Sequence, residues 1–237
     1  KLGIPVVAIV DTNTDPEARK HKSLTMFLVP LDTPGVEIQP LWTVDGDRTN
    51  IVYYSDVRIS DKYRLGEVNE GWPGVREPLN KEHGVVDAVI DGLDDVSILQ
   101  HQGMYIANAA DAVVAETAKE DSDGNRRIDD PLVSVRLGQS LAKIEAALVS
   151  PHMFGRVALA QAMREVSPVL MDIVGPTSVL PIDEPGADLS RAEYVYRWAP
   201  LTGIYGGTLE VFRNMIAQYI LGLGKPVYAA PKAPAAS

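Results

Sequence analysis

The segment Ile204-Tyr205-Gly206-Gly207-Thr208-Leu209-Glu210-Val211-Phe212-Arg213-Asn214 joins two glycines and a threonine to the start of an apolar-periodic run. Gly206 and Gly207 permit backbone conformations that other residues resist, which predicts a tight turn and lets a ligand approach the main chain. Thr208 is placed to cap a helix after the turn. The apolar positions of that helix are Val211, Met215, Tyr219 and Ile220. Free N–H groups at its start suit an anion such as a phosphate, but an ordinary capped helix after a loop explains the same residues.

The composition excludes several classes of protein. With 237 residues, 46% of them hydrophobic, the chain can bury a sizeable core, in one large or two modest domains. A net charge of -10 argues against a nucleic-acid partner, which requires a basic patch. The absence of cysteine excludes disulfides and thiolate chemistry, and the four scattered histidines have no metal-ligand spacing. Without a membrane-length apolar run or a signal-like N-terminus, the sequence predicts a soluble, cytoplasmic protein that binds no metal.

The first part of the chain favours β-structure. It starts at Lys1, without a methionine, and enters an apolar strand at once, which indicates a fragment or an unseen preceding segment. Strands are predicted at residues 5–10, 24–29, 36–39 and 50–59, where β-favouring runs are separated by turn residues. Residues 1–70 are therefore predicted to form a β-domain that is incomplete at its N-terminus.

The second part favours helices. Residues 75–99 and 97–120 are helix-permissive, and the second stretch has an apolar face. After a charged loop at residues 120–130, Pro131 opens a helix that is predicted to run past Pro151 with a kink. A helix end is predicted at residues 169–173 and a further helix at 192–198. Residues 71–224 are thus predicted to be a helical domain, and residues 225–237 a loose tail. The apolar faces are formed by Ile106, Ala110, Val113 and Val114, and by Leu137, Leu141, Ile144 and Leu148.

Several motifs, taken in order, resemble the acyl-CoA dehydrogenases, a family of FAD-dependent enzymes. They are Phe27-Leu28-Val29-Pro30 with Thr33-Pro34-Gly35-Val36, then Val52-Tyr53-Tyr54-Ser55-Asp56-Val57-Arg58-Ile59 with Leu65-Gly66-Glu67 and Gly71-Trp72, and finally Arg197 ahead of Ile204-Tyr205-Gly206-Gly207-Thr208 and Arg213-Asn214. The resemblance covers nearly all of the chain. It implies an α+β multidomain fold, in which a partial β-barrel or sandwich domain precedes a C-terminal four-helix bundle. The family's N-terminal helical domain is missing from this chain.

The resemblance implies α,β-dehydrogenation of an acyl-CoA thioester, in which a carboxylate removes the α-proton and a hydride passes from the β-carbon to FAD. Many members carry that glutamate directly before the Gly-Thr of the signature, where this chain has Gly206. A second branch carries it in a Leu-x-x-Glu-Arg pattern on the first long helix. Leu79-Asn80-Lys81-Glu82-His83 stands at the matching place, with His83 instead of arginine, so Glu82 is the candidate base. A solvent-exposed helical glutamate is the alternative.

Other site residues are implied by the same resemblance. The backbone N–H of Gly206 matches a donor that binds the thioester oxygen in an oxyanion hole. Gly207, Thr208 and Glu210 match positions that contact FAD. Tyr205 is placed to border the acyl pocket, although a core aromatic residue is an equal alternative.

Two segments depart from the family's pattern. The usual Arg-x-x-Phe-Gly loop, whose arginine reaches the FAD pyrophosphate of a neighbouring subunit, is replaced by Asn125-Arg126-Arg127-Ile128-Asp129-Asp130-Pro131-Leu132-Val133. Arg126 or Arg127 could substitute, but the surrounding acids favour a solvated loop. Together with Arg136-Leu137, this segment resembles actinobacterial members, some of which form α2β2 complexes with shared flavin sites. The second FAD-contact segment is also altered, to Ile173-Val174-Gly175-Pro176-Thr177.

The resemblance therefore leaves three hypotheses. The first is an acyl-CoA dehydrogenase subunit with Glu82 as base, electron-transfer flavoprotein as acceptor and a homo- or hetero-tetrameric assembly. The second is a non-catalytic partner subunit of a heteromeric dehydrogenase. The third is an acyl-CoA oxidase, which reacts with oxygen. The sequence does not select an acyl group among straight, branched or steroid chains.

Overall fold

A computed structural model describes residues 5–82, 103–150, 152–181, 183–187 and 190–224 of the chain. These residues form two compact units, one within residues 1–97 and the other within residues 98–237. The first unit combines strands with a helix, and the second is helical, so the predicted α+β class is confirmed. Within the described ranges, every helix is too short or too polar to cross a membrane.

The first unit contains two antiparallel sheets. Strands β1 (Val6–Asp11), β2 (Leu24–Val29) and β5 (Arg64–Leu65) form one sheet in the order β1-β2-β5, with Val6 opposite Val29. Strands β3 (Val36–Trp42) and β4 (Arg48–Tyr54) form a hairpin in which Val36 lies opposite Tyr54.

The predicted strands agree with the sheets except at the hairpin. Strands β1 and β2 occupy the expected stretches, whereas β3 extends to Trp42 and β4 covers Arg48–Tyr54 instead of residues 50–59. The ladder ends after Tyr54 because the chain turns there. The N–H of Ser55 donates to the Gly35 carbonyl at 2.9 Å, and Asp56 adopts a left-handed φ of 51°.

Helix α1 (Trp72–Glu82) follows the sheet and packs against β2. It begins ahead of the predicted start at residue 75, and Pro73 lies in its first turn, where its missing N–H costs nothing. Gly71 lies so close to β2 that a Cβ there would stand 2.9 Å from the Met26 nitrogen, so only glycine fits the junction. Most of the predicted helix 75–99 lies outside the described residues, and the predicted domain boundary at residue 71 stays a prediction.

The second unit contains helices α2 (Gly103–Thr117), α3 (Pro131–Leu148), α4 (His152–Val174), α5 (Ala192–Trp198) and α6 (Leu209–Met215), and α6 continues as a π-helical turn, Ile216–Ile220. The predicted apolar faces are confirmed, because Ile106, Ala110 and Val113 of α2 are fully buried and Leu137 and Ile144 of α3 are nearly so. Helix α3 begins at Pro131 as predicted, with the Asp130 side chain accepting the Leu132 N–H.

The continuation of α3 past Pro151 was predicted wrongly. Helix α3 ends at Leu148, and the chain reverses into α4, which runs unbroken through Pro168 to Val174. Two ion pairs show that the helices are antiparallel: Arg136 to Asp172 at 2.9 Å and Lys143 to Glu165 at 2.5 Å. The reversal lets α3 and α4 bury their apolar faces against each other, which a single kinked helix could not do.

Most of the apolar positions predicted for α6 do not form its buried face, although Met215 packs against that face. The buried residues are Leu209, Phe212 and Ile216, whereas Val211 and Tyr219 are 45% and 61% exposed. The buried set is spaced by three and four residues, and Val211, Met215 and Tyr219 are spaced by four, so α6 carries two apolar stripes. The stripe that contains Phe212 is the buried one, because it packs against Met153 and Val157 of α4.

Candidate functional site

The candidate site is built on the turn between α5 and α6. Gly206 and Gly207 have φ angles of 61° and 104°, a region in which side chains cause strain. Thr208 then returns to extended backbone, and its hydroxyl oxygen accepts the Val211 N–H at 3.3 Å. The predicted tight turn and threonine cap are both confirmed.

The turn leaves backbone donors unused. Among the described residues, the N–H groups of Gly206 and Gly207 have no hydrogen-bond acceptor. Both glycines are half-buried, so these donors are partly shielded from water. An unpaired N–H in such a place can bind an oxygen atom that carries negative charge.

Glu210 supplies a negative charge beside the same turn. Its carboxylate accepts hydrogen bonds from its own backbone N–H and from the Thr208 hydroxyl, and these bonds lower the pKa of Glu210. The side chain is exposed, so it is available to a ligand. As a hydrogen-bond acceptor it suits a hydroxyl or amino group better than a phosphate.

Tyr205 links the turn to the core of the second unit. It is half-buried, and its ring stacks on Trp198 at a centroid distance of 6.4 Å and an interplanar angle of 20°. Trp198 also meets Tyr105 edge-on at 5.2 Å, which extends the aromatic cluster. This packing agrees with the core alternative, and contact of Tyr205 with an acyl group stays a prediction.

Arg156 of α4 lies beneath the turn and was not predicted from the sequence. Its side chain is 2% exposed, and its Nη2 donates to the Tyr205 carbonyl oxygen at 2.8 Å. The guanidinium carbon lies 5.4 Å and 5.3 Å from the ring centroids of Tyr205 and Phe212. The available signal was its position three residues after Met153, on the face of α4 that is otherwise apolar.

The arginines of the altered loop bind residues of their own unit. Arg126 forms a two-point pair with Asp129, at 2.9 and 2.8 Å, which raises the pKa of Arg126. Arg127 donates to the carbonyl oxygens of Ile173 and Val174 at the end of α4. A cavity of about 600 Å³ adjoins Arg127, and it is lined also by Glu116, Thr117, Lys119, Thr177 and Ser190.

The two groups of candidates lie at opposite ends of α4. Arg156, under the glycine turn, and Val174, beside Arg127, are 18 residues apart on this helix. At 1.5 Å per residue, the separation along the helix is about 27 Å. The loop arginines therefore do not contribute to the same contacts as the turn.

The candidate base lies in the other unit. Glu82 is the last described residue of α1, so the predicted helical placement is confirmed. Its side chain and the neighbouring His83 lie outside the described residues, and the role of Glu82 as a base stays a prediction.

The cap of α6 offers a first test. We expect Thr208→Ala to lower the free energy of unfolding by about 1 kcal/mol, because the Val211 N–H loses its acceptor. Thr208→Ser keeps the hydroxyl and should retain most of the stability. Urea denaturation of the two variants measures the difference, and equal midpoints would show that the hydroxyl does not stabilise the helix.

Comparisons with known proteins find similarity between this chain and acyl-CoA dehydrogenases. No family model matches it. It is 29% identical over 235 residues to the acyl-CoA dehydrogenase IpdE1 of Mycolicibacterium smegmatis, which covers 92% of this chain and 54% of that protein. It superposes on the ChsE4-ChsE5 complex from Mycobacterium tuberculosis with a TM-score of 0.75 at 28% identity, covering 94% of this chain and 58% of that one.

A second solved two-chain protein also has a fold similar to that of this chain. The steroid ACAD Tcur3481-Tcur3483 has a TM-score of 0.74 at 26% identity, and 90% of this chain and 55% of that one are covered. The chain spans about half the length of the curated relatives that it matches. The resemblance to the acyl-CoA dehydrogenases, including members solved as two-chain complexes, is thereby confirmed.

Proposed function

We propose that the chain is a subunit of a flavin-dependent dehydrogenase that introduces an α,β double bond into an acyl-CoA thioester. The observation that carries this proposal is the turn at Gly206 and Gly207, with two unused N–H donors directly before a capped helix. The relatives named acyl-CoA dehydrogenases support the reaction class. Because the chain spans about half their length, the activity of the whole protein is part of the proposal.

In this proposal, the N–H of Gly206 donates to the oxygen of the substrate thioester. Removal of the α-proton moves negative charge onto that oxygen, so a fixed donor stabilises the transition state more than the ground state. Loss of the family's glutamate side chain at this position leaves the donor intact, since the donor belongs to the backbone.

Glu82 is the proposed base. A carboxylate shielded from water has a raised pKa, which makes it strong enough to take the α-proton. When bound, FAD supplies the redox chemistry by accepting the hydride from the β-carbon. Glu82 has the same place in the motif as the base of the second family branch.

The residues at the start of α6 fit part of a flavin dinucleotide. Thr208 offers a hydroxyl, Gly207 an unused N–H, and Glu210 an exposed acceptor, which together suit the hydroxyl and amino groups of FAD. The pyrophosphate requires cations, and the candidates are Arg126 and Arg127. Arg127 binds the end of α4, about 27 Å along that helix from Arg156 under the turn. We therefore propose that these arginines serve a different flavin from the one at the turn, as in sites shared between chains.

A heteromeric assembly follows from the same reasoning. Two of the similar structures are two-chain assemblies, and one of them is called a steroid ACAD. We propose that this chain works in a hetero-tetramer, with steroid or fatty acyl-CoA as substrate. The second candidate function is a non-catalytic partner subunit. It is favoured by the missing glutamate at position 206 and by the pairing of Arg126 with Asp129.

Further parts of the proposal rest on the family resemblance. The helices of the second unit would form the C-terminal four-helix bundle. Electron-transfer flavoprotein would accept the electrons, whereas rapid turnover with oxygen alone would identify an oxidase. The cytoplasmic location stays a prediction from composition.

The proposal is tested by the ratio of flavin to polypeptide in the purified native complex, with each chain identified by mass. We expect half a flavin per chain, together with a second related chain, which indicates shared sites. One flavin per chain in a homo-oligomer would instead indicate a self-sufficient enzyme and would refute the heteromeric part. A native complex without flavin would refute the enzyme proposal.

A further inference from the structure

The buried guanidinium of Arg156 is not explained by packing alone. Its Nε is buried and has no hydrogen-bond partner, and no carboxylate of the described part of the chain pairs with it. Burial lowers the pKa of Arg156; the charge interaction with Tyr205 opposes this effect, and the nearby cation Arg164 adds to it. An uncompensated buried charge destabilises a fold, so its presence calls for a specific role.

The geometry of one peptide unit indicates that role. Arg156 Nη2 donates to the Tyr205 carbonyl oxygen at 2.8 Å. The carbonyl of Tyr205 and the N–H of Gly206 belong to the same trans peptide, so they point in opposite directions. The side of the peptide that faces away from Arg156 therefore presents the Gly206 N–H, which has no acceptor among the described residues.

A hydrogen bond to the carbonyl oxygen of a peptide also changes the donor strength of the N–H in the same peptide. A cation at the oxygen draws electron density through the amide, which makes the N–H a stronger donor, and chained hydrogen bonds strengthen each other by roughly 10–30%. The effect is larger in a site shielded from water, and Arg156 is 2% exposed.

We propose that Arg156 is a positioning residue for the oxyanion hole. By holding the Tyr205 carbonyl, it fixes and polarises the Tyr205–Gly206 peptide so that the Gly206 N–H binds the thioester oxygen as negative charge develops there. This inference rests on the proposed function of Gly206. The rings of Tyr205 and Phe212 hold the guanidinium in place from the other directions.

The test compares three variants in the native complex. Arg156→Met removes the charge and the donor, and Arg156→Lys keeps a cation. Arg164→Met is the matched control, because Arg164 lies on the same helix and donates to a different carbonyl, that of Pro200, at 3.1 Å. The substrate is the acyl-CoA that wild type oxidises fastest in a panel of straight-chain, branched and steroid thioesters, and all rates are divided by bound flavin.

We expect Arg156→Met to lower kcat by about 10- to 100-fold with KM changed less than about threefold, since removal of an oxyanion donor itself costs about 10²–10³. Arg156→Lys should recover a large part of the loss, and Arg164→Met should match wild type. The infrared band of a ¹³C-labelled thioester carbonyl, in the bound enoyl-CoA product, should shift toward its frequency in water in Arg156→Met only. A purely structural tie would not move this band.

The possible failures are distinguishable. A wild-type kcat or an unshifted carbonyl band in folded Arg156→Met refutes the positioning role while the proposed function stands. A wild-type complex that oxidises none of the thioesters refutes the proposed function, and the inference fails with it. If Arg156→Met does not fold, Arg156→Gln replaces it, because glutamine removes the charge and keeps a neutral donor. A wild-type kcat in that variant refutes the inference.

Discussion

Glu82→Gln is expected to lower turnover per bound flavin by about 10²–10⁴-fold, the usual contribution of a general base. Glutamine has nearly the shape of glutamate but cannot accept the α-proton at neutral pH. The flavin content should stay at the wild-type level, since FAD is assigned to contacts at the start of α6. Steady-state oxidation of acyl-CoA by the native complex, with flavin absorbance as the reference, measures both quantities.

Glu77→Gln is the matched control for this substitution. Glu77 precedes Glu82 by five residues on α1, which places it about 140° around the helix axis. The same chemical change there should leave turnover near that of wild type. If Glu82→Gln also retains full turnover, the base lies elsewhere, and the non-catalytic partner subunit becomes the better account of this chain.

The parts of the fold that local chemistry determines could be predicted from the sequence. Strand β2 and helix α5 have the predicted bounds, and α3 begins where Asp130 and Pro131 mark a helix start. The turn at Gly206 was also predictable, because two consecutive glycines directly before a helix-capping threonine favour a tight turn. These signals lie within a few residues of the feature that they specify.

The parts that depend on distant contacts could not be predicted. The reversal between α3 and α4 depends on two helices packing together. The role of Arg156 could not be predicted for the same reason. A single arginine among apolar residues does not indicate that its side chain binds a carbonyl oxygen 49 residues later in the chain. The sequence therefore predicted the backbone of the candidate site, the turn at Gly206 and Gly207, but not the Arg156 side chain beneath it.

Phe212→Ala is the second substitution with a large expected effect. Phe212 is 1% exposed and packs against Met153 and Ile216 in a small cluster below the glycine turn. Truncation of a buried phenylalanine leaves a cavity and costs about 3–5 kcal/mol of the free energy of unfolding. It also removes one of the two rings that contact the Arg156 guanidinium, which adds to the loss.

Val211→Ala decides which stripe of α6 is buried. Val211 adjoins Phe212 in the chain and belongs to the stripe that the sequence favoured, yet it is 45% exposed. Its truncation should change the free energy of unfolding by less than about 0.5 kcal/mol, as is usual for surface positions. Urea denaturation of the native complex compares both variants at one protein concentration, because assembly stabilises the folded chains. A larger loss for Val211→Ala than for Phe212→Ala would mean that α6 buries the stripe of Val211 and Tyr219 in the assembled protein. In that case Phe212 would not contact the Arg156 guanidinium in the assembled protein, and only the ring of Tyr205 would hold the guanidinium under the turn.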